Sequence, residues 1–74
     1  MNRLRDLRED RDLKQETIAQ YLNRSRTAYS RYELGQRDIP TEVLKKLADY
    51  YDTSIDYILG RTNNPAPMKK QLSK

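Results

Sequence analysis

Nothing restricts this chain as tightly as residues 15–33, QETIAQYLNRSRTAYSRYE. Two helical patterns meet there across a connection too short to be a free linker. In the first, Ile18, Ala19 and Leu22 recur at the spacing of one buried helix face. Asn23 interrupts it, and asparagine is the non-glycine residue that best tolerates the left-handed backbone ending a helix. Ser25 follows as a good N-cap for a second helix. Only about three residues separate the two helices, so they pack as a bent pair.

The second helix is laid out by angle at about 100° per residue. With Arg26 at zero, Ser30 falls at about 40°, Thr27 at about 100° and Arg31 at about 140°. Ala28, Tyr32 and Tyr29 occupy the opposite side. One face is therefore cationic and hydroxylated, the other apolar and aromatic. Any amphipathic helix with a solvated outer face has that pattern. Three features set this one apart: the tight turn, the small Ala19 where helices approach, and two outward arginines. Arginine pairs bidentately with guanine in the major groove. The pair is read as a helix-turn-helix, with Arg26, Thr27, Ser30 and Arg31 as base-contact candidates.

The rest of the composition narrows the classes of function. Seventy-four residues allow one domain. A core of that size rarely supplies more than roughly 3–5 kcal/mol, so a dimer partner or ion pairs would help. There is no cysteine, which removes disulfide and thiol chemistry and fits a reducing cytosol. There is no histidine, the commonest general base and a favoured zinc ligand. No run is apolar enough for a membrane span, and Met1 leads into charged residues rather than a signal sequence. The net charge is +4, a weak pointer to nucleic acid. Its distribution says more: residues 23–37 hold four arginines and one acid, Glu33.

Residues 2–12 read as a first helix anchored by Leu4 and Leu7, with Arg3, Arg5, Asp6, Glu9 and Asp10 on a solvated, salt-laced surface. Arg8 borders the apolar stripe, and taken alone it reads as exposed. Lys14 and Gln15 open the next helix, where backbone N–H groups can meet a phosphate. Gly35 suits the left-handed end of the reading helix. Arg37, in the loop that follows, is a phosphate-contact candidate. Pro40 suits the first turn of a fourth helix, in which Val43, Leu44, Leu47, Ala48 and Tyr51 form a buried face. Asp52 and Thr53 break it. Ser54 caps a short fifth helix carrying Ile55, Ile58 and Leu59, closed by Gly60. Tyr57 and Ile58 suit either the core or a subunit interface. Residues 61–74, with two prolines and three lysines, read as a flexible tail, inert or adding nonspecific attraction for DNA, beyond a domain of residues 1–60.

Taken together, LKQETIA (13–19), the Asn23 turn, SRTAYSRYE (25–33), GQRDIP (35–40), EVLKKLADYYDTSIDYILG (42–60) and GRTNNP (60–65) resemble the Cro and phage-repressor type helix-turn-helix domain. This is the xenobiotic-response-element branch of bacterial transcriptional regulators. The resemblance implies an all-α, compact five-helix bundle of the lambda-repressor-like kind that reads DNA with its third helix. It implies that Gln15 meets a phosphate, that Arg26, Thr27 and Arg31 face bases with Ser30 close by, and that Gln36 and Arg37 touch backbone phosphate. It makes Arg8 and Glu33 a structural ion pair and so replaces the exposed reading of Arg8 with a partly buried one. It also implies a homodimer formed through the last helix, in the region of Tyr57 and Ile58. Arg24 departs from the pattern: the family places an aliphatic residue there, and an arginine has to snorkel out along the turn.

The expected function is sequence-specific recognition of double-stranded DNA, as a dimeric repressor on a pseudo-palindromic operator, in a bacterial or phage-derived protein that is cytoplasmic and nucleoid-associated when bound. The alternative is an antitoxin or accessory module that binds a protein partner and retains DNA binding. Catalysis is not expected. Asp10 with Asp12, or Asp49 with Asp52, make carboxylate pairs on polar surface, and no phosphate-cradling loop, metal cluster or nucleophile–base arrangement is present. No catalytic residue, cofactor, metal or membrane is expected.

Overall fold

Helix ends, more than helix lengths, organise this chain. The computed structural model describes residues 2–67. It contains α1 (Leu4–Asp10), α2 (Gln15–Tyr21), α3 (Arg26–Leu34), α4 (Thr41–Tyr51) and α5 (Ile55–Ile58), with no strand among the described residues. All five helices stop on a residue of positive φ: Asp12 (56°), Asn23 (59°), Gly35 (73°), Asp52 (53°) and Gly60 (79°). In each case the next N–H reaches back to a carbonyl in the last turn. Leu13 donates to Arg8, Arg24 to Ala19, Gln36 to Arg31, Thr53 to Ala48 and Arg61 to Asp56, at 2.8–3.1 Å. This double closure satisfies carbonyls that the helix leaves orphaned and turns the chain sharply toward the next element.

Two starts follow the same economy. Ser25 Oγ accepts from Ala28 N at 3.1 Å, and Ser54 Oγ accepts from Tyr57 N at 3.0 Å. Pro40 stands one position earlier than the sequence suggests. Its backbone is extended (φ −58°, ψ 148°) and it precedes the first turn of α4. Its carbonyl accepts from Val43 and Leu44.

The core joins all five helices: Leu4 from α1, Ile18 and Ala19 from α2, Tyr29 and Tyr32 from α3, Val43, Leu44, Leu47, Ala48 and Tyr51 from α4, and Ile58 from α5, with Leu22 from the turn. Burial keeps the tyrosine hydroxyls of Tyr29 and Tyr51 protonated, pushing the second up to about 12. Ile58 is completely buried. Within this chain it belongs to the core.

Arg3, assigned to the solvated surface, instead locks the first helix in place together with Asn2 and Arg11. α1 is shorter than expected, and the residues before it are ties. The Asn2 side chain donates to Tyr32 O at 2.9 Å and accepts from Leu4 N at 3.0 Å. Arg3 donates to Tyr57 O (2.6 Å), Thr62 O (2.9 Å) and Asn63 Oδ1 (2.8 Å), and its guanidinium stacks 4.2 Å from the Tyr57 ring. A cation over the last carbonyls of α5 also suits the helix dipole. Arg11 does the same for α4, donating to Tyr51 O at 3.1 Å. Contacts also run past residue 60. Thr62 and Asn63 are held by Arg3, and Pro65 O accepts from Thr53 Oγ1 at 2.6 Å. Residues 68–74 of the expected tail lie outside the described residues.

Candidate nucleic-acid interface

α3 is positioned from behind by a carboxylate. Glu33 accepts from Arg8 Nε at 2.6 Å and from Arg8 Nη2 at 3.2 Å, a two-pronged pair whose side chains are 4% and 13% exposed. Arg8 also donates to Leu13 O at 2.9 Å, and Gln15 Nε2 donates to Glu33 Oε1 at 3.1 Å. Glu33 thus ties α1 and the first residue of α2 to the last turn of α3, and Arg8 adds the α1–α2 loop. Burial by itself would raise the Glu33 carboxyl. The bonds from Arg8 and Gln15, the nearby Tyr29 hydroxyl and the charge of Arg8 outweigh it and hold the group below its ordinary range. That hydroxyl lies beside the carboxylate without the geometry of a formed hydrogen bond. Arg8 shifts the other way, upward, chiefly through its bond to Glu33. The single acid of the basic stretch is neutralised inside the protein, so it does not oppose an anion at the surface.

The opposite side of α3 is open. Arg26, Thr27 and Arg31 are exposed and Ser30 is half-buried. They line one shallow concavity of about 270 Å³ together with Gln15, Leu34 and Gln36, and no acidic residue borders it. Arg26 and Gln15 also border a neighbouring concavity that takes in Arg8, Lys14 and Glu16. Every expected base candidate and two of the three expected phosphate candidates thus meet on one surface. Arg37 is exposed on the loop just beyond. Gln15 spends one amide hydrogen on Glu33, and an amide nitrogen carries two.

Elsewhere the candidates separate. Tyr57 is half-buried under Arg3 on α5. Arg24 snorkels out of the turn with its side chain 34% exposed, and reaches Glu42 Oε2 at 3.5 Å. Among the described residues no group of three or more His, Cys, Asp or Glu side chains is arranged to hold a metal, and no helix is long and apolar enough to cross a membrane.

Sequence reading passed over Leu34. Leu34 is 65% exposed and borders the concavity. Carrying the angular count one turn further gives the signal: Leu34 falls at about 80°, between Ser30 and Thr27.

A helix-turn-helix family model matches residues 4–58, which spans all five helices. The chain belongs to the Cro/C1-type helix-turn-helix family. Members of this family similar to it include the Bacillus subtilis helix-turn-helix-type transcriptional regulator YobD, 40% identical over 88% of this chain and 58% of that protein. The Bacillus subtilis regulator ImmR is 37% identical over 80% of this chain and 46% of its own length. The cryptic phage CTXphi transcriptional repressor RstR of Vibrio cholerae is 32% identical over 96% and 66%. The chain spans roughly half to two thirds of these helix-turn-helix relatives. No solved structure matches it.

Proposed function

We propose that this chain is a DNA-binding transcriptional regulator that sets the outward face of α3 into the major groove. The observation that carries this is the acid-free concavity in which Gln15, Arg26, Thr27, Ser30, Arg31 and Gln36 converge from α2, α3 and the loop after it. Its donors are of two kinds. Gln15, Gln36 and Arg37 lie where phosphates flank a groove and would fix register. Arg26, Thr27, Ser30 and Arg31 project where base edges lie and would choose sequence. The names of the relatives, regulators and a repressor, support a repressing role. The chain works by binding, without catalysis, on DNA in the cytoplasm.

A homodimer completes the proposal. Two copies related by a two-fold axis read a pseudo-palindrome whose half-site centres lie about 10–10.5 bp, or a multiple, apart. Tyr57, half-buried on α5, is the residue offered to that contact.

Selection of bound duplexes from a random pool, at stated salt, tests both parts. A two-fold motif is the expected outcome. A single half-site would remove the homodimer. Folded protein that enriches nothing would remove DNA reading and leave a protein-binding accessory role in its place.

A further inference from the structure

We propose that Leu34 is a base-reading residue that recognises the 5-methyl group of a thymine. This rests on the DNA-binding reading above and extends it to a residue that is neither polar nor charged. A single exposed leucine is ordinary on any protein surface. This one lies at about 80° on α3, in the middle of the arc that runs from Arg26 to Arg31. Its neighbours within that arc, Ser30 and Thr27, are both polar. Leu34 is 65% exposed and lines the same concavity as Arg26, Thr27, Ser30 and Arg31.

The local backbone explains why the side chain stays there. The left-handed turn at Gly35 ends α3 immediately after Leu34. Of the described residues that follow, only Gln36 borders the same concavity. The aromatic side of the helix is already filled by Tyr29 and Tyr32, both buried.

An isobutyl group can make one kind of favourable contact with a base edge. The major groove presents hydrogen-bond donors and acceptors at every base pair, but only thymine adds an apolar methyl. Pressed against any other edge, Leu34 would desolvate a polar group and return nothing for it. Its position in the last turn of α3 puts it one turn beyond Ser30 and Arg31. The thymine it reads therefore lies at one end of the run of bases contacted by α3.

The test removes that methyl from the DNA. The selected duplex is remade with deoxyuridine in place of each thymine in turn, and binding of the full chain is measured against Leu34→Ala and Leu34→Asn. The pool contains unmodified DNA, so thymine is its only methylated base. For the unaltered protein, one position per half-site should weaken binding about threefold to fivefold, the factor for one buried methyl-sized group. Leu34→Ala should bind the thymine and deoxyuridine forms of that position equally. Leu34→Asn, of similar size without an apolar end, should lose the same discrimination. Equal sensitivity to deoxyuridine in all three proteins would overturn the assignment. Insensitivity of the unaltered protein at every position would overturn it too. Failure of the unaltered protein to select any duplex would instead overturn the DNA reading, and this assignment with it.

Discussion

Removing either member of the Arg8–Glu33 pair leaves the other charge buried without its counter-ion. The single replacements Arg8→Met and Glu33→Leu should each destabilise the protein by about 3 kcal/mol, a large share of what a core this small supplies. The double replacement should be milder than their sum, with a coupling of about 1–3 kcal/mol by urea denaturation. Simple additivity would mean that the pair contributes nothing as a pair. The same group sets an acid limit. The native carboxyl of Glu33 lies below its unfolded value of 4.5. Its contribution is therefore complete above that value and is lost as the pH falls through the lower native one. Stability of the unaltered protein should drop in that acid window more steeply than that of Glu33→Gln, and matching slopes would contradict it. This pair was legible only through the family resemblance, since nothing local links residues 8 and 33. Its further partners, Leu13 O and Gln15, were not legible at all, because they depend on how three helices close around one carboxylate.

Among the elements, the repeated helix ending is the testable feature. Left-handed backbone is unfavourable for residues that carry a Cβ, and aspartate tolerates it less well than glycine. Asp12 is exposed on its turn. Asp12→Gly should therefore stabilise the protein, by up to about 1 kcal/mol. Asn23→Ala should destabilise it by about 1 kcal/mol. Denaturant midpoints should move while the slopes stay constant; loss of stability in Asp12→Gly would show that the aspartate side chain matters more than the backbone. The endings at Asn23, Gly35 and Gly60 were readable because those residues signal a stop. The one at Asp12 was not, since an aspartate among charged residues looks like any solvated surface. The buried face of α4 was plain from its spacing. Arg3 and Arg11 were missed because an arginine in a charged helix gives no local sign that it will cap a distant one.

For the whole molecule, the division of labour proposed for the cations predicts two kinds of loss. Arg37→Ala should weaken binding to all duplexes about equally and lower the slope of log affinity against log salt by about 1. Arg31→Ala should relax choice at one base position, at about 1–3 kcal/mol, with less change in the slope. Titrations over a range of salt, on the selected duplex and a scrambled one, separate the two. If Arg31→Ala weakens both duplexes equally, its partner is a phosphate.

α3 is held in the bundle by Tyr29, Tyr32 and Glu33, while Arg26, Thr27, Arg31 and Leu34 stand exposed on its other side. Under the proposed function, the residues that make the protein stable and those that would choose its target thus form two separate sets. Such a helix can be reprogrammed by exchanging its outward side chains for those of another regulator, with the inward ones untouched. Lineages that inherit this scaffold are free to drift from one operator to the next without first having to survive an unstable intermediate.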